Sequence, residues 1–101
     1  MQNQIFAAID TQDPALAAGL TAALTGVVSG VKIGLEFFNA NGPDGVRRIA
    51  STGVQFFLDL KFHDIPNTVA GAIRAAVSLK PAILNVHASG GAAMMKAAAT
   101  A

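Results

Sequence analysis

Val54-Gln55-Phe56-Phe57-Leu58-Asp59-Leu60, running on into Lys61-Phe62-His63-Asp64-Ile65-Pro66-Asn67, is the stretch that decides the fold. It is apolar without alternation until its last residues, then turns charged, and Pro66 opens the next element. A strand buried on both faces of a parallel sheet reads this way, whereas a half-solvated antiparallel strand alternates. The same pattern recurs on either side, in Ile5 to Asp10 (IFAAID), Val31 to Gly34 (VKIG) and Ala82 to His87 (AILNVH). The runs recur roughly every 25 residues, each followed by a longer Ala-rich stretch, which is the signature of repeated βα units.

The connecting stretches carry helix punctuation. Asp13-Pro14 predicts an N-cap and a first-turn proline opening a helix through about Leu24, which the Gly26/Gly30 region ends. Asn41-Gly42-Pro43 punctuates before a stretch ending near Ser51, and Gly53 restarts the extended chain. Ile65-Pro66-Asn67 leads into a third helix reaching about Leu79, closed by Pro81, and a last helix of small residues and methionines runs from Ser89 onward. No linker or second domain interrupts residues 1–101. Four βα units with right-handed crossovers suit either a small open sheet or half of a (β/α)8 TIM barrel. The strand ends favour the half-barrel: Asp10, Lys32, Asp59 with Lys61, and Asn85 with His87 would converge on one mouth.

Composition sets further bounds. With 52% apolar and 13% charged residues in 101, the chain has more apolar surface than a domain this small can cover alone. Self-association that completes the barrel is therefore expected. A net charge of +1 with scattered basic residues argues against a nucleic-acid partner. No run approaches the roughly 20 apolar residues of a membrane span. Met1 to Gln4 are polar and Asp10 soon breaks the apolar run, so no signal peptide is expected, and with no cysteine the simplest location is the cytoplasm.

Asp59 and Lys61, two apart on an extended segment, should emerge on one face, with Lys32 ending the neighbouring strand and Asp64 on the loop beyond. Desolvated charges need paired partners, so a row of lysine and aspartate points to a built site more than to solvated surface pairs. Asp64 has an equal claim as the N-cap of the third helix. His63 and His87 could serve as ligands or acid-base groups, but histidines so placed are more often hydrogen-bonded structural residues, and no His/Asp/Glu spacing marks a metal site. Gly90-Gly91 before a helix could offer amides to a phosphate or could simply relax the turn, and Met94-Met95 read as packing residues.

Asp59-Leu60-Lys61-Phe62-His63-Asp64-Ile65-Pro66-Asn67-Thr68 resembles the signature of the orotidine 5′-monophosphate decarboxylases, a D-x-K-x-x-D core followed by I-P-x-T. Ala8-Ile9-Asp10, Val31-Lys32-Ile33-Gly34-Leu35-Glu36-Phe37-Phe38 and Asn85-Val86-His87-Ala88 extend the resemblance over almost the whole chain. It implies the amino-terminal half of a barrel and a decarboxylation of orotidine 5′-monophosphate to uridine 5′-monophosphate that uses no cofactor and no metal. It also implies roles. Asp10 and Lys32 would hold the ribose hydroxyls, Asp59 would face the substrate carboxylate, and Lys61 would stabilise and protonate the carbanion. Asp64, Ile65 and Thr68 would bind substrate, with Asp64 and Thr68 reaching into the partner's site of a homodimer. Lys61 must stay protonated, which carboxylates at Asp59 and Asp64 would favour.

The phosphate grip of such barrels lies after strands seven and eight, so residues 1–101 by themselves should turn over negligibly. Two other readings compete. One is a magnesium-dependent sugar-phosphate decarboxylase of the same superfamily, against which the His-Asp-Ile-Pro-Asn-Thr continuation argues. The other is a non-catalytic, self-assembling half-barrel module.

Overall fold

The computed structural model describes residues 4–101. Met1, Gln2 and Asn3, on which part of the leader reading rests, lie outside the described residues. Four strands alternate with four helices: β1 (Phe6–Ala8), α1 (Pro14–Leu24), β2 (Gly30–Ile33), α2 (Leu35–Ala50), β3 (Gln55–Phe62), α3 (Pro66–Val77), β4 (Ile83–Val86) and α4 (Ala92–Thr100). The strands form one parallel sheet in the order β1-β2-β3-β4. β1 and β4 each have a single neighbour, so the sheet is not closed.

Local chemistry accounts for most boundaries. Asp13 caps α1, its carboxylate accepting the Ala15 and Leu16 amides at 2.9 and 3.2 Å, with Pro14 in the first turn. These bonds satisfy amides that a helix start otherwise leaves unpaired. At Gly42 the backbone swings to φ 64°, ψ −164° and breaks α2 into two helical pieces, a conformation open to glycine at little steric cost. The sequence punctuation at Asn41-Gly42-Pro43 marks that break, but it conceals a helical start at Leu35 directly after β2. The aromatic run Leu35–Phe38 carries no capping signal, and the N-cap Gly34 makes no side-chain bond. The last helix starts at Ala92 and not at Ser89, because Ala88–Gly90 form a 3-10 turn first.

Packing separates the two faces of the sheet. Val31, Ile33, Phe56, Leu58 and Leu60 are buried with Phe37, Val46 and Ile49 of α2. Burying one such large side chain contributes roughly 2 kcal/mol, so this helix-covered face carries the stability of the fold. The alternate residues Lys32, Phe57 and Asp59 lie on the opposite face, where Lys32 is the register partner of Phe57. Beyond β4 the cover runs out. Ile83 is 42% and Met95 38% exposed, so Met94 alone of the methionine pair is a core residue. A cleft of about 340 Å³ lined by Ile73, Leu84, Val86 and Met95 opens there. Among the described residues no helix is long and apolar enough to cross a membrane.

Candidate active site

Parallel strands deliver their last residues to one rim, and the open-end residues of β2, β3 and β4 meet there. Asp59 is the centre. Its residue is only 6% exposed, and three donors saturate its carboxylate. Lys32 Nζ and Lys61 Nζ both donate to Oδ2, at 3.0 and 2.8 Å, while Asn85 Nδ2 donates to Oδ1 at 2.7 Å. Burial pushes the Asp59 carboxyl up, but hydrogen bonds from Lys61, Lys32 and Asn85 and the charge of Lys32 outweigh it and hold the group at about 2. The site therefore keeps a fixed anion flanked by two cations at neutral pH.

Lys61 reaches this position by an irregular route. In the β3–β4 ladder Leu58 pairs with Leu84 and Phe62 with Val86, leaving Asp59, Leu60 and Lys61 opposite the single residue Asn85. The register shift is a bulge, and Lys61 sits in it at φ 52°, in the left-handed region. The two-residue spacing expected for a flat strand is thus not what pairs Asp59 with Lys61. Bulges re-aim side chains next to active sites, and strained non-glycine residues gather there for the same reason.

The remaining sequence-predicted residues fall into two groups. Asp10 is exposed just past β1, and its Oδ1 and the Lys32 ammonium border the same space: a Cβ built on Gly34 would lie 3.9 and 3.5 Å from them. Asp64, Ile65 and Thr68 are exposed around the start of α3, outside the charge cluster. Asp64 is not the N-cap, which is Ile65 without a side-chain bond; its carboxylate instead accepts the Ile65 amide at 2.7 Å. Nor does it pair with Lys61. Among the described residues Lys61 is ion-paired with Asp59 alone, so the expected bracing by two carboxylates reduces to one. The loop places Asp64 and Thr68 with Lys61 around a cleft of about 210 Å³. That is smaller than the roughly 300 Å³ at which small-molecule pockets begin, so these walls alone do not enclose a nucleotide.

His63 and His87 face each other at the ends of β3 and β4, Nδ1 to Nδ1 at 3.2 Å with rings edge-on. One ring donates to the other, which makes the pair a clasp between the strand ends. Among the described residues no three His, Cys, Asp or Glu side chains group to hold a metal ion. At Gly90 a Cβ would collide with the Met94 sulfur, so that glycine serves close packing of the turn onto α4. Asn85 is expected at the mouth from its strand-end position, but the sequence gives it no role in the site. It stands among the polar strand ends, but a neutral amide announces no chemistry, and only the bulge gives it two partners.

A family model described as the orotidine 5′-phosphate decarboxylase / HUMPS family matches residues 3–101. An orotidine 5′-phosphate decarboxylase of Rhodospirillum rubrum is 58% identical over 98 residues, covering 96% of this chain and 40% of that protein. One of Paramagnetospirillum magneticum is 52% identical over the full chain and 43% of its own length. Among solved structures, orotidine 5′-phosphate decarboxylase from Pyrococcus horikoshii superposes with a TM-score of 0.90 at 26% identity, over 96% of this chain and 47% of that one. The chain thus spans less than half the length of these relatives, and four strands in an unclosed sheet are what the first half of such a barrel would contain. With fold and sequence in agreement over residues 3–101, the chain belongs to the orotidine 5′-phosphate decarboxylase / HUMPS family and corresponds to the amino-terminal part of its barrel.

Proposed function

We propose that residues 4–101 form the charged wall of an active site that decarboxylates orotidine 5′-monophosphate to uridine 5′-monophosphate, a step of pyrimidine synthesis in the cytoplasm. The observation that carries this reading is the Asp59 carboxylate, held ionised between the ammonium groups of Lys32 and Lys61. A substrate carboxylate brought within about 4 Å of Asp59 would be repelled by about 4 kcal/mol at an effective dielectric near 20, and loss of carbon dioxide removes that repulsion. The bond from C6 to the carboxylate carbon breaks, the electron pair stays on C6, and neutral carbon dioxide leaves. Lys61 already sits beside the anion, so its ammonium stabilises the developing negative charge and then transfers a proton to C6, regaining one from water. Prepositioned charge of this kind is the largest contribution in many enzymes. Lys32 keeps Asp59 in place and, with Asp10 beside it, faces the ribose hydroxyls.

Asp64, Ile65 and Thr68 complete the assignment as substrate-binding residues offered across a homodimer interface; their exposure and the absence of a Lys61–Asp64 pair within the described residues support that. The 101-residue chain alone is assigned negligible turnover, since a barrel's phosphate grip follows its seventh and eighth strands. It is also assigned self-association through the uncovered β1 and β4 edges, with Ile83 of β4 and Met95 of the adjoining α4 exposed. The test is complementation. The chain alone, and the chain mixed with the carboxyl-terminal remainder of the Rhodospirillum rubrum relative, are assayed for loss of orotidine monophosphate absorbance, with and without chelator. Activity that appears only in the mixture, resists chelator and disappears with Lys61→Ala supports the reading. Activity that survives Lys61→Ala overturns the assignment of Lys61, and activity that chelator abolishes favours a metal-dependent member of the family.

A further inference from the structure

The bulge that aims Lys61 is held by one side chain. Asn85 donates Nδ2–H to Asp59 Oδ1 at 2.7 Å and accepts the Lys61 backbone N–H on Oδ1 at 3.0 Å. The amide cannot be turned around: an ionised carboxylate only accepts and a backbone N–H only donates, so both partners require this orientation. The Lys61 N–H has lost its ladder partner, because β3 spends three residues opposite one of β4 there. Asn85 supplies the acceptor that the ladder does not. Left-handed backbone at a non-glycine residue persists only where its surroundings impose it, and this bond fastens Lys61 to β4. The left-handed Lys80, by comparison, follows the end of α3 and bonds back to the Val77 carbonyl, an ordinary helix exit.

We propose that Asn85 is a positioning residue that sets the aim of the Lys61 ammonium and the rotation of the Asp59 carboxylate together, coupling the proton donor to the fixed anion through one amide. The proposal deepens the decarboxylase reading and rests on it for its catalytic meaning, but the coupling itself is a property of the unliganded chain. Because one oxygen of Asp59 is held by Asn85, the other is left to receive both lysines. A substitution at residue 85 should therefore disturb two groups on β3 at once, and two variants separate the halves of the bridge. Asn85→Asp keeps an acceptor for the Lys61 amide but places an anion against Asp59. Asn85→Ala removes both bonds.

Amide hydrogen exchange and carboxyl 13C titration on the labelled chain read both ends. In the parent the Lys61 amide, bonded to Asn85 Oδ1, should be protected although its side chain is 43% exposed. In Asn85→Ala its exchange should quicken roughly tenfold relative to neighbouring β3 amides, as loss of one net hydrogen bond predicts. In Asn85→Asp that protection should persist while Asp59 takes up its proton at a higher pH than in the parent. A merely structural bond would not quicken the Lys61 amide selectively over its β3 neighbours. If Lys61 exchange in a folded Asn85→Ala stays within about twofold of the parent, or Asp59 titrates unchanged in Asn85→Asp, the proposal fails. Should Asn85→Ala not fold, Asn85→Asp decides alone. These readouts need no substrate, so absence of decarboxylation on complementation would sink the proposed function and leave the bridge standing, and the reverse result would do the opposite.

Discussion

Replacing Asp59 by asparagine should destabilise the chain at neutral pH by an amount that vanishes in acid. In the native state the carboxyl is held at about 2 against an ordinary value of 3.8. That gap corresponds to about 2 kcal/mol of stability. Asp59 itself is nearly buried, but Lys61 is 43% exposed, so solvent screening lowers the expectation to about 1–2 kcal/mol. The sign follows from linkage. Because the native group is the stronger acid, the unfolded chain binds more protons between these two values. The contribution is therefore complete above about pH 4 and is lost as the pH falls through 2. The asparagine variant has no such titration at this position. Urea unfolding of parent and Asp59→Asn, followed by far-UV circular dichroism at a series of pH values, gives the difference directly and cancels the acid sensitivity of the other carboxylates. Expected is a gap of about 1–2 kcal/mol at pH 7, unchanged to pH 5, narrowing below pH 4 and closing near pH 2. A gap independent of pH, or an asparagine variant more stable than the parent at pH 7, would refute the account of Asp59 as an ionised centre stabilised by its partners.

Three further expectations concern the bulge, the first helix and the open edge. Since Lys61 lies at φ 52°, Lys61→Gly should be more stable than Lys61→Ala by about 1 kcal/mol, the reverse of the ranking in a regular strand; equal stabilities would mean that the bulge relaxes once the ammonium is gone. Asp13→Ala should cost about 1 kcal/mol through loss of the cap on α1, measured by the same urea midpoints. Sedimentation at micromolar concentration should find the chain associated, and Ile83→Lys, placing a charge on the uncovered β4, should shift it toward monomer; a stable parent monomer would remove the case for edge pairing.

Much of this architecture is legible in the residues. Asp13-Pro14 marks the start of α1, and the non-alternating run Val54–Leu60 marks a strand of a parallel sheet. Both signals are local, arising from a cap and from a burial pattern. The helical start at Leu35 is not legible, because Leu35–Phe38 lacks a capping side chain and forms on the core through Phe37. The end of β3 lies two residues beyond the expected one, since Lys61 and Phe62 belong to the strand while charge and a coming proline resemble a loop. Asp64 shows the limit of spacing as an argument: its carboxylate could have capped α3 or braced Lys61, and it does neither, bonding the adjacent amide.

The order of residues alone is sufficient for the repeated βα units, the rim at which Lys32, Asp59 and Lys61 collect, and the family, because periodicity, caps and a ten-residue signature are written in consecutive positions. How those charges meet is a matter of three-dimensional pairing. Asn85 lies 26 residues from Asp59, and the bulge that turns Lys61 exists only where β3 is paired with β4. A hydrogen bond across a sheet depends on register, and register is a relation between strands that neither strand carries alone.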